Sequence, residues 1–304
     1  MRIGIDLGGT KIEAVCLKAD GNEISRQRVA SPRGDYAATI QTIIDLILDV
    51  ENSTGQTGSI GIGIPGTISP ITRLVKNANS TWLIGRPLGK DLSTALGRPV
   101  RLANDANCFA LSESTDGAAK GAASVFGVIL GTGVGGGIVI NGEIITGLNS
   151  IAGEWGHNPL PWMTESEAPG SHCYCGKAGC IETFINGAGL VSIFSEKTYR
   201  TATLTAKEIA NLADNDHVIA LNVLEDYAER LARALASLIN IFDPEVIVLG
   251  GGLSNIERLY EWIPSLWQNW VFSDGVTTKL VKNKHGDSSG VRGAAWLWPI
   301  EAKA

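Results

Sequence analysis

Three short apolar runs in this chain each end in a cluster of glycines, at Gly8-Gly9, at 131–137 and at Gly250-Gly251-Gly252. Runs of this length bounded by turn residues predict buried strands. Glycine lets a backbone approach a ligand closely and aim its N–H groups at an anion. One such turn would be a turn and nothing more, whereas three after strands point to a nucleotide. The first two also share a design. Apolar residues 2–7 and 12–17 flank Gly8-Gly9, and 125–130 and 138–140 flank the second cluster. This weak repeat predicts two domains that each open with strand, glycine turn and strand, and 304 residues suit two domains.

The rest of the chain alternates strand and helix signals, which predicts the α/β class. Helical spacing runs over 32–50, with Ile40, Ile43, Ile44, Ile47 and Leu48 on one face. Strands are expected at 60–64 and 100–103, a helix at 109–114, and helices at 205–212 and 218–241. The last of these carries Leu221, Leu224, Leu231, Leu235 and Leu238 at core spacing. A strand at 245–249 and a final apolar helix at 290–298 follow. Residues 150–185 are irregular and rich in proline, and so long a loop in a compact domain is functional or tied down.

Charge and motif failures narrow the function. With 25 basic and 31 acidic residues the net charge is −6, which argues against a nucleic-acid surface. No apolar run approaches the roughly 18 residues of a membrane span. Asp6 interrupts the first apolar stretch, which is wrong for an export segment, so a cytoplasmic protein is expected. Gly9-Thr10-Lys11 has the wrong order for a Walker loop. G-x-G-x-x-G matches formally at Gly61-Gly63-Gly66 and Gly131-Gly133-Gly136, but neither match opens a helix.

Several residues could carry chemistry. Asp6 ends the first strand beside a glycine turn, where a carboxylate could hold Mg²⁺ against ATP phosphates and Lys11 could neutralise phosphate charge; both could equally be solvated turn residues. Asn104-Asp105-Ala106-Asn107 lies between an apolar strand and an apolar helix. Asp105 there can cap the helix, or act as a general base towards a hydroxyl attacking a phosphoryl group. Glu154 and His157 sit three apart in a glycine-rich loop and could bind vicinal sugar hydroxyls. Cys173, Cys175 and Cys180 crowd into eight residues, which with one histidine makes a closed tetrahedral zinc site. Spacing does not choose between His157 and His172 as fourth ligand. Cys16 and Cys108 lie in apolar runs and read as core.

Taken together, these motifs resemble the ROK (repressor, open reading frame, kinase) family of sugar kinases. Ile3-Gly4-Ile5-Asp6-Leu7-Gly8-Gly9-Thr10-Lys11 looks like its first phosphate motif, and Leu130-Gly131-Thr132-Gly133-Val134-Gly135-Gly136-Gly137 like its second. Gly153-Glu154-Trp155-Gly156-His157, followed by Cys173-x-Cys175 and Cys180-x-Glu182, resembles its zinc-and-sugar signature. Segments 76–83, 158–163 and 284–293 look most like the bacterial fructokinases of the family, which also accept mannose.

The resemblance implies an actin-like (ribonuclease H-like) two-domain fold with ATP and sugar in a cleft. The expected division is a small domain over 1–117, rejoined by a C-terminal helix at about 288–304, and a larger domain over 118–287 with a zinc loop. It implies Asp105 as base and Asn79, Asn104, Asp105, Glu154, His157 and Glu182 around the sugar. Both phosphate motifs and Gly251 would hold ATP with Mg²⁺. His157, Cys173, Cys175 and Cys180 would hold structural zinc, with the second nitrogen of His157 facing sugar. The expected activity is phosphorylation of a free hexose, fructose first and mannose second. An N-acetylhexosamine or glucose kinase, or a sugar-sensing regulator without turnover, are the alternatives. Some members carry a DNA-binding helix-turn-helix, but the first strand opens so near Met1 that none is expected here. A homodimer is compatible with this reading.

Overall fold

A computed structural model describes residues 1–198 and 204–299. Its first half runs β1 (Arg2–Leu7), β2 (Lys11–Leu17), β3 (Glu23–Ala30), α1 (Tyr36–Thr54), β4 (Ser59–Ile64), β5 (Thr67–Ile68) and β6 (Val75–Lys76). Then come α2 (Leu88–Leu96), β7 (Val100–Asn104), α3 (Asp105–Thr115), β8 (Ser124–Leu130), β9 (Val134–Ile140) and β10 (Glu143–Ile144). The remainder is α4 (Ile181–Ile185), α5 (Gly187–Thr198), α6 (Ala206–Asp214), α7 (Val218–Phe242), β11 (Val246–Gly250), α8 (Leu259–Leu266), β12 (Lys279–Lys282) and α9 (Ser289–Ala295).

The two main sheets have the same topology, β3-β2-β1-β4-β7 and β10-β9-β8-β11-β12. In the first, β2 is antiparallel to β1 while β4 and β7 are parallel. In the second, β11 lies parallel between β8 and β12. Mixed sheets doubled in this way are the actin-like α/β build.

Residues 1–121, 137–152 and 284–299 form one compact unit; 122–136 and the described residues of 153–283 form another. The sequence division at 117/118 therefore differs at 118–121, 137–152 and 284–287, which group with the first unit. The reason is local packing. A methyl at Gly137 would meet the Ala106 carbonyl at 2.4 Å, so β9 leaves the turn only by lying flat on α3. The Lys284 N–H donates to Glu113 Oε2 at 3.0 Å, and Ser289 Oγ to Glu113 Oε1 at 2.7 Å. Asp116 accepts from His285 Nε2 at 3.0 Å and from Arg292. Helix α3 thus latches the returning chain.

In the first unit α9 packs on β1, β4 and α3 with backbone-to-backbone closeness. A methyl on Gly4 would lie 2.1 Å from Val291 O, one on Gly61 1.8 Å from Ala294 O, and one on Gly293 1.7 Å from Cys108 O. The formal dinucleotide match at Gly61-Gly63-Gly66 is thereby explained: Gly61 seats α9, Gly63 abuts Cys108, and Gly66 turns the chain at φ 83°. Helix α9 is shorter than the expected 290–298 and ends at Ala295, whose carbonyl Pro299 cannot satisfy because it has no N–H; 300–304 lie outside the described residues. Asp35 caps α1 by accepting from Ala38 N at 2.9 Å. The buried face of α1 carries Ile43, Leu46, Ile47 and Val50, while Leu48, expected on that face, is exposed.

In the second unit α7 forms the core. Leu224, Leu231 and Leu235 are fully buried, each stabilising the fold by about 1.5–3 kcal/mol, whereas Leu221 and Leu238 are half-buried at the edges of the stripe. Tyr227 donates its hydroxyl to Ile185 O at 2.8 Å and so pins α4. The proline-rich loop is tied down as its composition requires. Arg233, 1% exposed, donates to Pro161 O, Trp162 O and Glu167, and Arg230 also pairs with Glu167. Among the described residues, no helix is long and apolar enough to cross a membrane.

Candidate active site

In the first unit, β1 and β7 deliver Asp6 and Asn104-Asp105 at their carboxyl ends, where α/β sheets bind ligands. The helix cap falls on Asn104. Its Oδ1 accepts from Ala106 N at 2.9 Å and Asn107 N at 3.3 Å, and its Nδ2 donates to Gly66 O at 3.1 Å. Asp105 is the first helical residue, half-buried, with Oδ1 near its neighbour's N–H at 2.8 Å. The capping role considered for Asp105 thus belongs to the residue before it, and Asn104 has only one amide N–H beyond its protein contacts for a ligand.

Asp6 faces Asp105 electrostatically. Burial, then the Asp105 charge, then that of Glu13 push its carboxyl up to about 7, against the pull of Lys11 and Arg28. Glu13, opposite Asp6 across β1 and β2, is itself buried and paired with Arg26 and Arg28. The buried Cys108 thiol is pushed well above its usual range by burial and by both aspartates. A methyl at Gly63 would lie 3.3 Å from Cys108 Sγ and 3.7 Å from Asp6 Oδ1, so strand, thiol and carboxylate are packed together. Neither Glu13 nor Cys108 stands out in the sequence, because each sits in an apolar run. Lys11 is half-buried at the start of β2, and the Gly8 N–H is engaged with its carbonyl at 3.0 Å. Asn79 is exposed beside the buried Ser80. Gly4, Ile5 and Leu7, expected at the nucleotide, are buried inside β1, with Gly4 under α9.

In the second unit the loop between β10 and α4 brings His157, Cys173, Cys175 and Cys180 together, with one ligand atom from each all within 4.8 Å of one another. His172 instead bridges Ala178 in a short ladder outside this group. Cys175 Sγ lies 3.6 Å from Cys180 Sγ, and Cys173 Sγ lies 3.5 Å from His157 Nδ1. Tetrahedral zinc with Zn–S near 2.3 Å and Zn–N near 2.0 Å needs ligand separations of roughly 3.5–3.8 Å, so these two pairs fit. The other nitrogen, His157 Nε2, sits 3.0 Å from the Tyr174 hydroxyl. Partial burial and the nearby Glu182 and Glu154 charges push the Tyr174 phenol up, which places both carboxylates in its neighbourhood. Glu154 is exposed and Glu182 buried. Tyr174 escaped sequence reading because a lone aromatic between two cysteines has no signature.

Two of the three glycine turns converge within this unit. Gly131-Thr132 and Gly252-Leu253, with Gly187, Thr205 and Asn211, line a cavity of about 870 Å³, the size of a ligand pocket. Gly251 makes the turn at φ 79°, where a methyl would strike Leu130 O at 2.4 Å. The second turn is shorter than 131–137, because Gly135, Gly136 and Gly137 already belong to β9. A methyl on Gly136 would meet Gly153 O at 2.5 Å and Trp155 Cδ1 at 2.6 Å, so that glycine makes room for protein.

The ROK family model matches residues 2–301. An N-acetyl-D-glucosamine kinase of Photobacterium profundum is 42% identical over 301 residues, covering 98% of this chain and 99% of that protein. The solved ROK hexokinase from Thermus thermophilus superposes with a TM-score of 0.84 at 30% identity, covering 97% of this chain and 96% of that one. A ROK glucokinase from Streptomyces griseus, solved with glucose and AMPPNP, gives 0.77 at 27% identity over 97% of each chain. The chain therefore belongs to the ROK family.

Proposed function

We propose that the protein is an ATP-dependent hexose kinase whose first substrate is N-acetylglucosamine. The observation that carries the chemistry is the carboxylate pair. Asp105 stands at the start of α3, and its charge helps to push Asp6 up to about 7. A divalent cation with its water shell would lower that value and keep Asp6 ionised. Asp6 and Lys11 would meet the phosphates and their Mg²⁺, while Asp105 would accept the proton of the attacking hydroxyl. Positioning and charge stabilisation carry most of such a transfer. The cavity lined by two glycine turns suits the remainder of ATP. Glu154, His157 and Glu182 would hold the sugar with Asn79, and the Cys₃His set would hold a structural zinc that shapes their loop.

The relative at 42% identity supports the N-acetylhexosamine reading, which was an alternative at sequence level. Fructose led there on segments 76–83, 158–163 and 284–293. The contacts of the last two are structural: Arg233 holds the carbonyls of Pro161 and Trp162, and Glu113 holds Lys284 and Ser289. Those two segments say little about the sugar. The retained Asp105 and both phosphate turns count against a regulator without turnover. The test is ADP release with Mg-ATP over N-acetylglucosamine, N-acetylmannosamine, glucose, mannose and fructose. N-acetylglucosamine should give the highest kcat/KM; fructose in first place would restore the fructokinase reading.

A further inference from the structure

The second glycine turn is not free-standing. It is strapped to the segment that runs from the metal cluster into α4 and α5. Val134 N donates to Glu182 Oε2 at 3.0 Å, Asn186 Nδ2 donates to Thr132 O at 3.1 Å, and Gly187 N donates to Gly131 O at 2.9 Å. Glu182 is only 7% exposed, and its second oxygen, Oε1, lies 3.7 Å from Cys173 Sγ in the metal cluster. One buried carboxylate therefore touches both the metal loop and the turn. The fit is tight: a methyl on Gly133 would lie 2.7 Å from Glu182 Oε2. The φ of Gly133 is not in the left-handed region, so the glycine at this position serves the carboxylate rather than the backbone.

We propose that Glu182 is a positioning residue for the turn Gly131–Val134, so that sugar and nucleotide affinities are coupled through this one side chain. A sugar hydroxyl donating to Glu182 would fix its rotamer, and that rotamer holds the Val134 N–H. The turn lines the nucleotide cavity. By linkage, each ligand then raises the affinity of the other by the same factor. This rests on the kinase reading and deepens it, because a carboxylate that only binds sugar has no reason to affect nucleotide affinity when sugar is absent.

The test is the dissociation constant of Mg-ADP, and separately of N-acetylglucosamine, for the full-length zinc-loaded protein by calorimetry. Melting temperature and zinc content serve as folding controls. Wild type should bind Mg-ADP about 5–20-fold more tightly with the sugar present, within the usual span of such couplings. Glu182→Ala should weaken Mg-ADP several-fold without any sugar and abolish the coupling. Glu182→Gln keeps an acceptor for the Val134 N–H and should restore Mg-ADP affinity to near wild type. Gly133→Ala displaces only the far end of a side chain, so it should fold. It should weaken the sugar several-fold although the residue lies in the phosphate turn. If Glu182→Ala loses sugar binding but holds Mg-ADP as tightly as wild type, the inference is overturned while the kinase reading stands. A wild type that binds no Mg-ADP overturns both.

Discussion

At the scale of single residues, Asp105 and Asn104 divide what sequence alone left on one side chain. Asn104 caps α3 with two backbone donors, so its replacement by Ala should lower stability by about 1 kcal/mol, read as a lower Tm. Asp105→Asn leaves that cap intact and keeps the side chain's size. It should therefore melt close to wild type and bind sugar and ATP with modest change. Its kcat should fall by about 10²–10⁴-fold, because an amide cannot accept the hydroxyl proton. An Asp105→Ala variant that melts early yet turns over near-normally in its folded fraction would place the cap on Asp105 after all. Asp105 was legible because a polar cluster breaks an apolar strand-to-helix passage. Its division of labour with Asn104 was not, since either residue can cap and only the backbone geometry chooses.

Among elements, the metal loop and the loop behind it give two further expectations. The protein should bind about one zinc per chain, and Cys175→Ser or strong chelation should remove it. Loss of zinc should lower Tm and weaken sugar binding, because His157 and Glu182 hang from that loop; full stability in a zinc-free protein would refute the assignment. Behind it, burial opposes ionisation of Glu167, but hydrogen bonds from Arg233 and Arg230 outweigh it and hold the carboxyl down to about 2. A folded value below the unfolded 4.5 means stability that is present above about pH 4.5 and lost as pH falls towards 2. Glu167→Ala takes from the buried Arg233 its buried counter-charge and leaves it only the more exposed Glu229 at 2.8 Å, and should cost about 3 kcal/mol at pH 7. The difference from wild type should shrink in melts at pH 3. The cysteine cluster and the proline-rich loop were visible as composition. The Glu167–Arg233 tie was not, because 66 residues separate its ends and surface helices carry similar charges.

On the scale of the molecule, the doubled strand–turn–strand device pointed to two domains of related design, and the two main sheets share one strand order. The unit boundaries were less legible. They depend on where β9 settles against α3 and on the latch of 284–292 by Glu113 and Asp116, which are contacts between distant residues. Sugar preference was least legible, since two of the three segments that favoured fructose, 158–163 and 284–293, hold the structure together. The central claim is phosphoryl transfer from ATP to a hexose with Asp105 as base. The most direct measurement is sugar phosphate formed per ADP released, from Mg-ATP and N-acetylglucosamine, in wild type beside Asp105→Asn. The account expects one sugar phosphate per ADP in wild type and a rate at least about 100-fold lower in the variant, with sugar still bound. ADP released without sugar phosphate, or a variant keeping more than about a tenth of the wild-type rate, would contradict it.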